Sequence, residues 1–204
     1  MKFIKAILST SVLMAVSGAF AAGTGYSTYP LSMEKTLIGA EFTGITSNGG
    51  GVGVQGRFTQ RVNSKFNYDA GIGISGGQRS SRIFAGADYE LFPDYENQPK
   101  ISLKSTIQNS KDFDRRVNSV SLAPTVSKGF SFWGEEAFPF ISLPYAINLD
   151  SQSSTYNTSF NVNVGITGKL PIEGYSNLIG MLEATVSVKD SFTGIFAGVS
   201  YPIN

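Results

Sequence analysis

Residues 155–167 read TYNTSFNVNVGIT, and their alternation decides the fold. Successive side chains of an extended strand point to opposite faces. Tyr156, Phe160, Val162, Val164 and Ile166 therefore share one face, while Asn157, Ser159, Asn161, Asn163 and Thr167 share the other. A soluble barrel and a membrane barrel produce the same pattern turned inside out. The fold class follows from the alternation, and the function depends on which face meets solvent.

The same period recurs along the chain. Alternating stretches at 36–45, 52–61, 66–75, 82–92, 101–108, 117–127, 138–148, 156–167, 178–188 and 192–201 predict strands. Beyond residue 35 no apolar run approaches the length of a spanning helix. Ser47-Asn48-Gly49-Gly50, Asn63-Ser64, Ser75-Gly76-Gly77, Asn109-Ser110-Lys111-Asp112, Asp150-Ser151-Gln152 and Lys189-Asp190 separate them. Gly, Asn and Asp accept the backbone angles of tight reversals, so these segments read as hairpin turns. Short links imply an antiparallel meander. The expected fold is all-β, an antiparallel up-and-down transmembrane β-barrel of about ten strands, with eight as the alternative count.

The N-terminus reads as an export signal. Lys2 and Lys5 supply a positive start, residues 7–16 a short apolar stretch, and Ala19-Phe20-Ala21 a small-x-small cleavage site. Residues 1–21 are thus expected to be a signal peptide, 22–35 an N-terminal lead, and 36–204 a single barrel domain. Cysteine is absent, so no disulfide supports this exported chain. The formal net charge is +1, without the basic patch or stripe that a nucleic acid would require.

Composition indicates which face is outside. Soluble surfaces are rich in Lys, Arg, Glu and Asp. This polar face is built mainly of Asn, Ser, Thr, Gln and Gly, and the whole chain is 15% charged where about a quarter is usual. Phe58, Phe66, Tyr89, Phe92, Tyr95, Phe130, Phe132, Trp133, Phe138, Tyr175 and Tyr201 gather near every second turn, as an interfacial girdle would. On this reading Val162 and Val164 face lipid. The signal peptide, the FNVNVGI-type alternation, the short turns and the last strand SFTGIFAGVSY together resemble the small outer-membrane β-barrels of Gram-negative bacteria, the class that includes OmpA-type membrane domains. The resemblance implies a monomer in the outer membrane, with outer-membrane lipid and the barrel-assembly machinery as its partners. Such families end on a terminal aromatic, whereas here Tyr201 is followed by Pro202-Ile203-Asn204.

Enzyme chemistry finds few candidates. Gly51-Val52-Gly53-Val54-Gln55-Gly56 matches a dinucleotide pattern, but a strand period follows it where the motif needs a helix N-terminus. The chain has no histidine, so the His base on which outer-membrane hydrolases and acyltransferases lean is missing. No enzyme, cofactor or metal site is expected. What remains is a set of inward charges: Glu41, Arg57, Asp69, Arg82, Glu90, Lys104 and Glu183, with Arg61 and Asp88. A hairpin centred on Gly49 would set Glu41 opposite Arg57, and a turn centred on Asn63 would set Arg57 opposite Asp69. In a narrow lumen such charges must pair, since an unpaired buried charge is costly. They form either a structural plug or a gate. The expected role is structural, or a narrow, weakly conducting pore. The rival readings are an adhesion or partner-binding barrel and a soluble lipocalin-like carrier of apolar ligands.

Overall fold

The computed structural model describes residues 28–203 apart from 34, 48, 49, 77, 133 and 173–176. The expected signal peptide therefore lies outside the described residues, as do the girdle residues Trp133 and Tyr175. Twelve strand segments are present: β1 (Thr36–Ile45), β2 (Gly51–Asn63), β3 (Phe66–Ser75), β4 (Arg79–Phe92), β5 (Lys100–Asp112), β6 (Arg115–Ser127), β7 (Phe130–Phe132), β8 (Glu135–Ser142), β9 (Tyr145–Asp150), β10 (Thr155–Lys169), β11 (Ile179–Lys189) and β12 (Gly194–Ile203).

All pairings are antiparallel, and β12 pairs with β1 from Thr36↔Ile203 to Ile45↔Gly194, which closes the sheet on itself. β8 and β9 form one stave. Both pair with β6 and with β10, and Ser142↔Asn163 and Tyr145↔Phe160 keep one register across Leu143-Pro144. Pro144 has no N–H to give the ladder, which interrupts the strand without shifting it. β7 is a three-residue flap on the first residues of β8. The result is a closed barrel of ten staves, in which, among the described residues, only the short flap β7 keeps an unpaired edge.

Each stave alternates, and its faces are inverted relative to a soluble barrel. Ile38, Phe42, Val54, Ile72, Ile83, Ile107, Val120, Ile141, Ile147, Leu182, Val186 and Ile195 are all exposed. Within 155–167, Val164 is 50% exposed and Asn163 only 1%. Glu41, Arg57, Asp69, Arg82, Asp88, Lys100, Lys104 and Glu183 are buried inside. The interior is polar and the outside is an apolar band, the arrangement of a transmembrane barrel.

Four expectations need correction. The turn placed at Asn109–Asp112 belongs to β5, and the chain reverses at Phe113 (φ 51°) and Asp114 (φ 63°). Two consecutive left-handed residues make a primed two-residue turn that suits strand twist. Cross-strand pairs such as Asn109 Nδ2 to Asn118 Oδ1 at 2.7 Å hold the preceding polar run extended. Phe138 is not in a girdle; it is buried, edge-on to Tyr29 at 5.7 Å. The registers of the first two hairpins also differ. Glu41 faces Gln55, and Arg57 faces Gly39 and Gly71. Both are shifted by two residues, and a shift of two leaves every side chain on its original face.

Candidate functional site

The inward charges gather in two groups. At mid-barrel Arg57 lies diagonally between strands, where side chains of this length reach each other. Its Nε forms an ion pair with Glu41 Oε1 at 2.5 Å, and its Nη1 donates to Asp69 Oδ2 at 2.5 Å. Lys104 Nζ donates to the same Asp69 oxygen at 2.9 Å. Gln55 Nε2 donates to Glu41 Oε2. Glu183, fully buried, accepts from Asn163 Nδ2 at 2.7 Å.

Phe84 fills the space beside this cluster. The Arg57 and Arg82 guanidinium carbons both lie 4.8 Å from its ring centroid, the geometry of a cation–π contact. Gly71 makes room for the ring, since a Cβ there would lie 2.4 Å from Phe84 Cζ and 2.5 Å from the Gly56 carbonyl oxygen.

The second group lies toward the end of the barrel that holds both termini. Lys100 Nζ is 3.8 Å from Asp88 Oδ2 and 4.0 Å from Glu90 Oε2, and Arg61 Nη2 is 3.8 Å from Glu90 Oε2. Of the seven charges expected to share the lumen, Glu41, Arg57, Asp69 and Lys104 thus form one contact network. Glu183 and Arg82 are buried in the same interior through other partners, and Glu90 belongs to the second group.

Three contributors were missed by sequence reasoning. Lys100 lies one residue before the expected start of its strand, yet its parity matches Lys104. Phe84 was submerged in an apolar run in which only the count from Arg82 separates inward from outward. The third is the lead. Thr28 Oγ1 meets Thr167 Oγ1 at 3.1 Å, Leu31 packs with Leu37 and Ile179, and the Leu31 carbonyl accepts from Arg61 Nη1 at 3.1 Å. Residues 28–31 therefore sit in the mouth on the terminus side. Burial, with the charges of Glu136 and Glu135, pushes the Tyr29 phenol up, which keeps it neutral.

Among the described residues the opposite mouth forms a hollow. A vestibule of about 890 Å³ is lined by Gln108, Ser119, Asn148, Asp150, Tyr156, Asn157 and Phe192, among others. Ser119 Oγ donates to Asn148 Oδ1 at 2.7 Å, Asn148 Nδ2 donates to Ser159 Oγ at 2.9 Å, and Arg115 pairs with Asp150 at 3.0 Å.

No family model matches the chain, and no curated protein matches it. Among solved structures it is similar to a de novo designed transmembrane β-barrel, at 14% identity and a TM-score of 0.42, covering 86% of this chain and 100% of that one. It is similar to the KdgM porin in complex with disordered oligogalacturonate, at 11% identity and a TM-score of 0.38, covering 83% and 99%. It is also similar to Ail, the attachment invasion locus protein of Yersinia pestis, in complex with the heparin analogue sucrose octasulfate, at 10% identity and a TM-score of 0.31, covering 84% and 100%. The architecture of this chain, read from its own closure and its own inverted faces, is that of a transmembrane β-barrel.

Proposed function

We propose that this protein is an exported, monomeric outer-membrane barrel whose lumen is closed at mid-height, giving a structural role or at most a narrow, weakly conducting pore. The observation that supports it is the charge cluster. Glu41, Arg57, Asp69, Lys104 and Glu183 are each 4% exposed or less inside a ten-stave barrel, a size that inward side chains nearly fill. Their signs are mixed and their contacts short, which suits a plug. Export through the signal at residues 1–21, and assembly into outer-membrane lipid by the barrel-assembly machinery, complete the reading. Among the described residues the interior is lined mainly by polar and charged side chains, which does not suit a carrier of apolar ligands. The reversals at Phe113-Asp114 and at residues 151–154 are too short for the long loops of an adhesin.

Planar-bilayer recording of the purified protein tests the plug. The expected record is closed for most of its length, with small, rare steps. A stable ohmic channel at every insertion would overturn it.

A further inference from the structure

Arg82 is a buried cation outside the contact network of the plug. It is 3% exposed and projects into the barrel beyond Phe84, on the side away from the chain termini. A guanidinium carries five N–H donors and cannot shed its charge. Only Nη2 is engaged, donating to Gln108 Oε1 at 3.0 Å. Nε and Nη1 meet no protein acceptor, and no carboxylate forms an ion pair with the group among the described residues. The carboxylates of Glu41, Asp112 and Asp69 act on it only at longer range, and the like charge of Arg57 works against it across the Phe84 ring.

Ser110 stands directly across the ladder from Arg82, and its hydroxyl is also buried without a hydrogen-bond partner. Buried donors are ordinarily satisfied, and an orphaned charge most of all. Two neighbouring orphans whose shared capacity is hydrogen-bond donation require an acceptor between them. Gln108, which holds the one engaged nitrogen, also lines the vestibule, so the vestibule begins one hydrogen bond away from Arg82.

We propose that Arg82 and Ser110 form a binding site for a small monovalent anion, a halide or the carboxylate of a small solute, entering through the vestibule. The anion accepts from Arg82 Nε or Nη1 and from the Ser110 hydroxyl, and supplies the counter-charge that the chain withholds. A carboxylate side chain could have filled this place, as Asp69 does for Arg57 and Lys104; its absence leaves the position to an exchangeable ligand. The proposal depends on the inward orientation of β4 and β5 and is indifferent to whether the mid-barrel plug ever opens.

Chloride NMR line broadening by the protein in an uncharged detergent tests it, with acetate as the competitor and heat-modifiable gel mobility reporting the folded barrel. The wild type is expected to broaden the chloride line, and acetate to narrow it again. Arg82→Gln should abolish the site-specific broadening, Ser110→Ala should weaken it, and Lys128→Gln, which alters a cation at the opposite end of the barrel, should leave it intact. Equal broadening by folded wild type and folded Arg82→Gln would overturn the proposal. Should Arg82→Gln not fold, crystals of the wild type grown in bromide decide: an anomalous peak within hydrogen-bond reach of Arg82 supports the site, and none there overturns it.

Discussion

Replacing Arg57 by alanine strands two carboxylates unequally. Asp69 keeps Lys104 at 2.9 Å, whereas Glu41, 1% exposed, is left with the amide of Gln55. Breaking a buried ion pair by removing one partner costs about 3–5 kcal/mol, because the remaining charge has neither water nor a counter-ion. At about 1.4 kcal/mol per decade, that is roughly two to four powers of ten in the folding equilibrium. Most of the cost falls on Glu41, so Arg57→Ala combined with Glu41→Gln should recover at least about 1 kcal/mol, a coupling within the range found for contacting groups. Arg57→Lys should be milder, retaining the charge but not the forked geometry that spans two acceptors. Urea unfolding in lipid vesicles, read by gel mobility, gives the midpoints, and planar-bilayer recording shows whether the gap left by the guanidinium conducts. An unchanged midpoint together with unchanged conductance in Arg57→Ala would refute the reasoning.

Three further outcomes follow from the inverted faces and the crowded interior. Val164→Arg places a charge in the outward apolar band and should cost about 2–4 kcal/mol if it lies near the midplane, while Asn163→Leu should cost about 1–3 kcal/mol by taking the hydrogen bond from buried Glu183; equilibrium unfolding in vesicles measures both, and a harmless Asn163→Leu would contradict a packed lumen. Gly71→Ala should destabilise by about 1–3 kcal/mol, since its methyl meets both the Phe84 ring and a backbone carbonyl that cannot swing aside; the same unfolding assay reads it. Single cysteines at Gln152→Cys and Ser64→Cys, at opposite ends of the barrel, should label selectively in intact cells: an impermeant maleimide is expected to reach the first only, and labelling of the second alone would invert the topology.

Much of this architecture was legible because a period of two is robust to small errors. Misplacing the first two hairpins by two residues moved Arg57 off its expected partners Glu41 and Asp69 in the ladder, yet all three stayed on the inward face and met diagonally. The strands at Thr36–Ile45 and Phe66–Ser75 have the bounds that their alternation implies. What alternation could not show is where polar residues continue a strand. Asn109 to Asp112 have turn composition, but their partners Arg115, Arg116, Val117 and Asn118 on β6 keep them extended, and that is a tertiary fact. Alternation also cannot tell an inward phenylalanine from an outward one inside a uniformly apolar run, which hid Phe84. The lead has no period at all; its place in the mouth depends on Thr167, Ile179 and Arg61, which are distant in sequence.

The central claim is that the apolar face is the outer one and needs lipid to cover it. The most direct measurement is the physical state of the protein after cell fractionation and detergent removal. The account predicts that it sediments with outer membranes and keeps its heat-modifiable folded form only in detergent micelles or bilayers. A folded monomer recovered from the periplasmic extract in detergent-free buffer would contradict it, because no soluble barrel can leave Ile72, Ile83, Ile107 and Val120 bare to water on four successive staves.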